Sequence, residues 1–139
     1  MSLHDLAKRT APQSLLERAD PILRKVLNDT QDIHFIMLCS SDGFELITHK
    51  RKQHTLTSGK IAAVSSSILA MVHAFMAEIQ LKGCQTITLD AENGKALITS
   101  LNHAQYPMVL VTLCDSEILL GQLRYSIKQC TDQITQLTV

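Results

Sequence analysis

The longest apolar segment of the chain runs from Ser58 to Gly83 and has no formally charged residue between Lys60 and Glu78. At 100° per residue, its large and small side chains fall on opposite stripes of a helix. The large stripe contains Ile61, Val64, Ile68, Met71, Val72, Phe75 and Ile79. The small stripe contains Ala62, Ala63, Ser66, Ser67, Ala70, His73, Ala74 and Ala77. The pattern predicts one long helix that begins near Thr57 or Ser58 and ends at Gly83.

Neither stripe of this helix carries the charge that is typical of a solvent-facing surface. We expect the large stripe to fill the chain's own core and the small stripe to pack closely against a second helix. The same helix of another copy is the expected partner, because most soluble oligomers are symmetric homo-oligomers. Two alternatives are burial inside a larger domain, for which the rest of the chain is short, and a membrane span. The uncharged stretch from Ile61 to Ala77 is shorter than the ~20 residues that a bilayer needs, so we expect no membrane insertion.

Five further segments have the composition of strands. Residues 33–39 and 106–114 are apolar on both faces, which favours central positions in a sheet. Residues 44–49 follow a Ser-Asp-Gly turn and carry edge-like polar positions, whereas 86–90 and 96–101 flank a Glu-Asn-Gly-Lys turn typical of a hairpin. The pattern predicts a mostly antiparallel five-stranded sheet with helices on both faces, an α+β fold.

Two more helices flank these strands. The first has a possible capping box at Ser14–Glu17 and a second possible start at Asp20-Pro21, so it either runs on past Pro21 or begins there. The last opens at the acidic residues 115–117 and ends near Gln133. We expect a flexible N-terminus over 1–13, a single domain over 14–134 and a short tail over 135–139.

The composition of the chain reduces the number of function classes to consider. Lysine and arginine total 13, equal to aspartate and glutamate, so the net charge is zero and nucleic acid is not an expected partner. The four cysteines are widely spaced in apolar contexts, and the start of the chain has no apolar stretch typical of a signal peptide. Reduced thiols in a cytoplasmic protein are the expected state.

The Gly-Lys pair at 59–60 is the feature most similar to a nucleotide-binding motif. Gly59-Lys60 is not a phosphate-binding loop, because that pattern needs glycine at position 54 and serine or threonine at 61, where His54 and Ile61 stand. No catalytic constellation can be assembled, so we expect no enzyme activity, no cofactor and no metal site.

Three other features each allow a functional and a structural interpretation. Cys39 and Cys114 both end predicted central strands. They either form a redox pair or a metal site, or are two small buried hydrophobic residues, and we favour the second interpretation. His73 either senses pH across a two-fold axis or makes an ordinary hydrogen bond. The basic run Lys50-Arg51-Lys52 either meets acidic lipid or protein or is simply solvated.

The order and spacing of these segments resemble Roadblock/dynein light-chain domains, including the bacterial MglB-like members. The resemblance rests on residues 21–46 with their Ser-Asp-Gly turn, the small-residue helix 62–77, the hairpin TITLDAENGKALITSL and the ending LVTLCDSEILLGQLR. It covers 14–134. One departure is the sequence Asn-His-Ala-Gln at 102–105, where many relatives have glycine.

The resemblance implies a sheet between one long helix and two helices. It implies a homodimer, or a heterodimer with a paralogue, in which the long helices pack together and strands near Thr86 and Thr88 pair. It also implies a small Ras-like GTPase as partner, or a scaffold role. We expect Ser66, Ser67 and His73 to contact that GTPase at the rim of the helix seam.

Three functions compete at this point. The first is a regulator that holds the GTPase's own catalytic residues in place and so stimulates GTP hydrolysis by positioning. The second is a scaffold without effect on hydrolysis. The third is a PAS-like small-molecule sensor, which shares a central sheet flanked by helices but should enclose a ligand cavity.

Overall fold

The structure is a computed structural model and describes residues 11–51 and 55–138. Most of the predicted flexible N-terminus, residues 1–10, therefore lies outside the described residues. The helices are α1 (Gln13–Asp29), α2 (Ser58–Glu78) and α3 (Leu120–Thr135). The strands are β1 (Ile33–Ser40), β2 (Glu45–Lys50), β3 (Thr86–Ala91), β4 (Gly94–Leu101) and β5 (Met108–Cys114).

The five strands form one sheet in the order β2-β1-β5-β4-β3, and every neighbouring pair is antiparallel. The two segments that are apolar on both faces, β1 and β5, occupy the interior as predicted. Their side chains alternate between two cores: Leu38 and Leu110 face α1 and α3, whereas Met37 and Val111 face α2. The α+β architecture, with one long helix on one face and two on the other, is confirmed.

Helix α1 runs without interruption through Pro21 and buries Leu15, Ala19, Leu23 and Leu27 at four-residue spacing. It begins at Gln13, with Pro12 at the N-cap, so neither predicted start is used. The amide of Leu15 donates to the Pro12 carbonyl at 3.1 Å. Because no side chain caps this end, the capping box does not form.

Two other predicted boundaries are wrong by about five residues. Helix α2 ends at Glu78 rather than Gly83, because Gln80 adopts φ +61° and the Leu81 amide turns back to the Met76 carbonyl at 2.8 Å. Helix α3 begins at Leu120 rather than at residues 115–117. The acidic residues form a separate turn closed by a bond from the Ile118 amide to the Asp115 carbonyl at 3.3 Å.

His103 organises the turn before β5, the segment in which the sequence departs from the glycine of the family it resembles. Its Nδ1 atom accepts from the amides of Gln105 and Tyr106, each at 3.2 Å. Nε2 therefore carries the proton, which it donates to the Leu137 carbonyl at 2.7 Å. Together with a bond from Arg18 to the Thr138 carbonyl, this contact attaches the chain past α3 to the domain.

Arg51 joins the end of β2 to the end of α1. Its guanidinium donates to three backbone carbonyls, those of Leu27, Thr30 at 3.0 Å and Ile33 at 3.1 Å. The Leu27 carbonyl lies in the last turn of α1, where carbonyls lack helical partners. One residue of the basic run thus has a structural role, and Lys52 lies outside the described residues.

Candidate dimer and partner interface

The inner face of α2 is lined by Ala62, Ser65 and Leu69, which are buried against the sheet. These side chains are three or four residues apart, the spacing of one helix face. Two of them are small, so the backbone of α2 can lie close to the β1–β2 turn. That turn contains Gly43 at φ +94°, where an added Cβ would stand 3.2 Å from the Cα of Ala63.

The outer face of α2 and its C-cap carry four exposed large apolar residues. Val64 is 57% exposed, Met71 66%, Phe75 63% and Ile79 47%. The prediction that the large stripe fills the core is therefore wrong for these four residues. The helix is rotated so that Ala62, Ser65 and Leu69 face the sheet, and part of the large stripe as well as part of the small stripe is exposed.

The rotation also moves the predicted dimer residues. Ala62 is fully buried against the chain's own sheet, so its assignment to a dimer interface is corrected: no surface of it remains for a partner. Ser66 is half-buried, and its hydroxyl donates to the Ser41 carbonyl at 2.6 Å. The remaining predicted residues of the helix are exposed: Ala63, Ser67, Ala70, His73, Ala74 and Ala77.

Strand β3 lies at the edge of the sheet, so one row of its backbone amides and carbonyls has no strand beside it among the described residues. Thr86 and Thr88 point to the α3 side, since Thr86 stands opposite Thr99 and shares a groove with α3. Leu89 points to the α2 side, the same side as Ile87, and is 46% exposed. The alternation of threonine with Ile87 and Leu89 in the sequence TITLD is the signal for these two faces.

The exposed apolar side chains of α2 and its C-cap, together with Leu89 on the same side of the sheet, are called the α2 surface. Its members are Ala63, Val64, Ala70, Met71, Ala74, Phe75, Ile79 and Leu89. Large patches of this kind on a soluble domain mark sites of protein or membrane interaction.

The three predicted GTPase-contacting residues do not share one face. Ser66 and His73 are seven residues apart and lie on the same flank of α2. Ser67 is about 100° further round the helix, and its hydroxyl bonds to the Ala63 carbonyl at 3.2 Å. His73 borders a groove of about 410 Å³ between the end of α2 and β4, together with Met76, Leu81 and Cys84 among others.

Cys39 and Cys114 are not neighbours, so the idea of a redox or metal pair is wrong. They sit at opposite ends of the sheet, because β1 and β5 are antiparallel: Cys39 pairs with Val109 and Cys114 with Ile33. Burial raises the pKa of the Cys39 thiol to about 12 and that of Cys114 to about 11. Thiols with such pKa values are poor nucleophiles and metal ligands.

The described part of the chain contains no cluster of possible metal ligands. Within residues 11–51 and 55–138, no group of three or more histidine, cysteine, aspartate or glutamate side chains is placed to hold a metal ion.

By length and composition alone, α2 is long and apolar enough to cross a membrane, and 17% of its most apolar 18-residue window is buried inside the chain. In the structure this helix packs on the sheet through Ala62, Ser65 and Leu69. No residue in 11–51 or 55–138 covers its outer side.

The sequence matches no known family profile. Two uncharacterised proteins of Methanocaldococcus jannaschii are each 25% identical to it over 108 residues. The match covers 78% of this chain and 86% and 90% of the two relatives.

Solved structures are similar over nearly the whole chain. The gliding protein MglB of Thermus thermophilus superimposes with a TM-score of 0.80 at 16% identity, covering 91% of this chain and 93% of that one. An MglB described in a tetrameric arrangement gives a TM-score of 0.80 at 17% identity, covering 91% and 92%. A Roadblock/LC7 domain of Streptomyces avermitilis gives 0.72 at 12% identity, covering 83% and 92%. The chain has the Roadblock/MglB-like fold.

Proposed function

We propose that this chain is a non-enzymatic regulator or scaffold that works as a dimer and binds a small Ras-like GTPase. The observation that carries the proposal is the α2 surface, a row of exposed apolar side chains on a domain with the Roadblock/MglB-like fold. Leaving Met71 and Phe75 in water is unfavourable by about 25 cal/mol for each Å² that a partner could cover. A second copy supplies an identical apolar surface and would remove both from water.

The assembly we propose places the α2 helices of two copies side by side. Ala63, Ala70 and Ala74 would allow the helices to approach closely, while Met71 and Phe75 would pack across the seam. The free edge of β3 would pair with its counterpart, which satisfies its unpaired backbone groups. A homomeric assembly is supported by the tetrameric arrangement reported for one MglB, and a paralogous partner would use the same surface.

In this proposal the GTPase binds at the rim of the seam and the chain supplies no catalytic group. The partner is the one that the sequence resemblance to MglB-like domains implies. Such a regulator would hold the GTPase's own residues in the arrangement that hydrolysis requires. A scaffold would bind the same surface and leave turnover unchanged.

The dimer is tested by Met71→Glu, which places a charge in the centre of the α2 surface. The side chain is 66% exposed in the single chain, so the fold should persist while association is lost. Leu119→Glu is the matched control, because Leu119 is 64% exposed but lies beside α3. Mass measured by light scattering should halve for the first variant alone, and a dimer that survives Met71→Glu would overturn the proposed interface.

The partner is tested by affinity capture from source lysate, once with a non-hydrolysable GTP analogue and once with GDP. Identification of a small GTPase, enriched with one nucleotide and absent with Met71→Glu, would support the proposal. A turnover assay with the purified pair then separates regulator from scaffold. Capture of no GTPase in either condition would contradict the proposed partner, and binding of vesicles by monomeric protein would make the α2 surface a lipid contact instead.

A further inference from the structure

A groove of about 540 Å³ lies on the sheet face opposite α2, beside α3. It exists because α1 and α3 cover β2, β1, β5 and part of β4 but leave the β3 end of the sheet open. Leu97 of β4 and Ile127 of α3 are buried side chains that border it. Its volume lies in the ~300–1,000 Å³ range of small-molecule sites.

Two residues that line this groove, Thr99 and Ser100, have buried hydroxyls without a hydrogen-bond partner among the described residues. Thr99 is 6% exposed, lines the groove, and its Oγ1 atom meets no donor or acceptor among the described residues. A buried hydroxyl without a partner costs about 1–3 kcal/mol. Thr86 stands directly opposite on β3 and also lines the groove, so two threonines form its strand wall.

The helix wall of the groove carries positive charge. Arg124 and Lys128 are one turn apart on α3, and both border the groove. Asp132 is the acidic residue of that wall, and it already pairs with Lys128 at 3.8 Å. Arg124 forms no ion pair with any residue in 11–51 or 55–138, so its guanidinium is available to a ligand.

We propose that this groove binds a small organic anion, a molecule with an apolar body and a carboxylate or phosphate group. The body would lie over Leu97 and Ile127. The acidic group would accept hydrogen bonds from Arg124 and from the Thr99 hydroxyl, which supplies the missing partner. The site lies on the face of the sheet opposite α2, so the helix seam of the proposed dimer does not cover it, although Thr86 belongs to β3, whose free edge that dimer would pair.

The test is a titration of ¹⁵N-labelled protein at constant ionic strength, followed by amide chemical shifts. Phenyl phosphate and benzoate are the probes, and benzyl alcohol is the uncharged analogue. We expect saturable shifts that cluster in β4 and α3 with at least one acid and not with the alcohol. Saturation by only one acid identifies the group as phosphate or carboxylate.

Variants separate a binding role from a structural one. Arg124→Gln should lower the affinity for the acid by about tenfold or more, as expected for the loss of a charged hydrogen bond. Lys25→Gln on α1 should leave the affinity unchanged. Thr99→Val should lower the affinity for the acid by about fivefold. Thr112→Val is the matched control, since Thr112 is another buried threonine with an unpartnered hydroxyl but lies outside the groove.

Three results would overturn the proposal. The first is the absence of saturable binding for both acids. The second is unchanged affinity in Arg124→Gln, a variant of an exposed residue that should fold normally. The third is equal affinity in Thr99→Val and Thr112→Val when both variants retain the native spectrum.

Discussion

Arg51 is the clearest point at which one side chain connects three parts of the fold. It follows β2 directly, and its guanidinium binds the Leu27 carbonyl in the last turn of α1 and the Thr30 and Ile33 carbonyls around the start of β1. Arg51→Gln would remove the charge and most of this geometry. We expect α1 to lose its attachment to the edge of the sheet.

The size of the effect follows from the bonds. A hydrogen bond to a charged group contributes about 1.5–3 kcal/mol when shielded from water. Two of the three bonds are part-buried and one is exposed, so solvent reduces the sum. A cation near a helix C-terminus adds about 0.3–1 kcal/mol. We expect Arg51→Gln to lower the free energy of unfolding by about 2 kcal/mol.

Urea denaturation followed by circular dichroism measures this change at one fixed protein concentration, because association would add to stability. Arg51→Lys retains the charge but not the planar fork, so it should lose more than half of the effect. Lys50→Gln is the control, since Lys50 is exposed and should change stability by less than about 0.5 kcal/mol. A loss below about 0.5 kcal/mol for Arg51→Gln would refute the reasoning.

Three further predictions concern other sites. Gly43→Ala should destabilise the fold by more than about 1 kcal/mol, because φ is +94° and the new Cβ would press on the backbone of α2; thermal unfolding measures it. Gly121→Ala should stabilise by about 0.4–1 kcal/mol, because the site is helical and has open space. The hydrogen bond from Arg24, and then that from His49, holds the pKa of Asp20 below its ordinary 3.8. That stabilisation is present above pH 4 and disappears as pH falls below it, so Asp20→Asn should be less stable than wild type at neutral pH and equal to it in acid.

Each of these has a result that contradicts it. A neutral Gly43→Ala would mean that the turn can move away from α2 at no cost. A destabilising Gly121→Ala would mean that the first turn of α3 needs glycine. A stability difference for Asp20→Asn that persists unchanged to pH 2 would show that packing, not charge, accounts for it.

Much of the fold could be predicted from local patterns. Runs that are apolar on both faces located β1 and β5 and identified them as interior, alternation located β3, and turn residues located β2 and β4 as the return strands. The Asn93-Gly94 pair located the β3–β4 hairpin, where a Cβ on Gly94 would stand 2.9 Å from the Cys114 carbonyl. These features are local because backbone hydrogen bonding and turn geometry depend on adjacent residues.

Helix ends were less predictable because tertiary contacts competed with local signals. Gly83 is a good helix terminator and does adopt φ +70°, yet α2 ends earlier, where Gln80 takes the left-handed conformation. The acidic residues after β5 look like a helix start, but the Asp115 amide bonds to the Asp32 carbonyl at 2.9 Å and keeps the chain at the sheet for another turn.

The sequence by itself determined that α2 is a helix without a charged face, and that it needs apolar cover on more than one side. It did not determine which side meets the chain's own sheet. When a helix is apolar on all sides, its sequence pattern does not distinguish the face that packs on the sheet from the face that packs on a partner. The tertiary structure decided this through the close approach of Ala62 and Ser65 to the sheet, which left Met71 and Phe75 outside. It also decided that Cys39 and Cys114 lie far apart, and that Thr99 and Arg124 border one groove, since strand order and direction bring distant residues together or separate them.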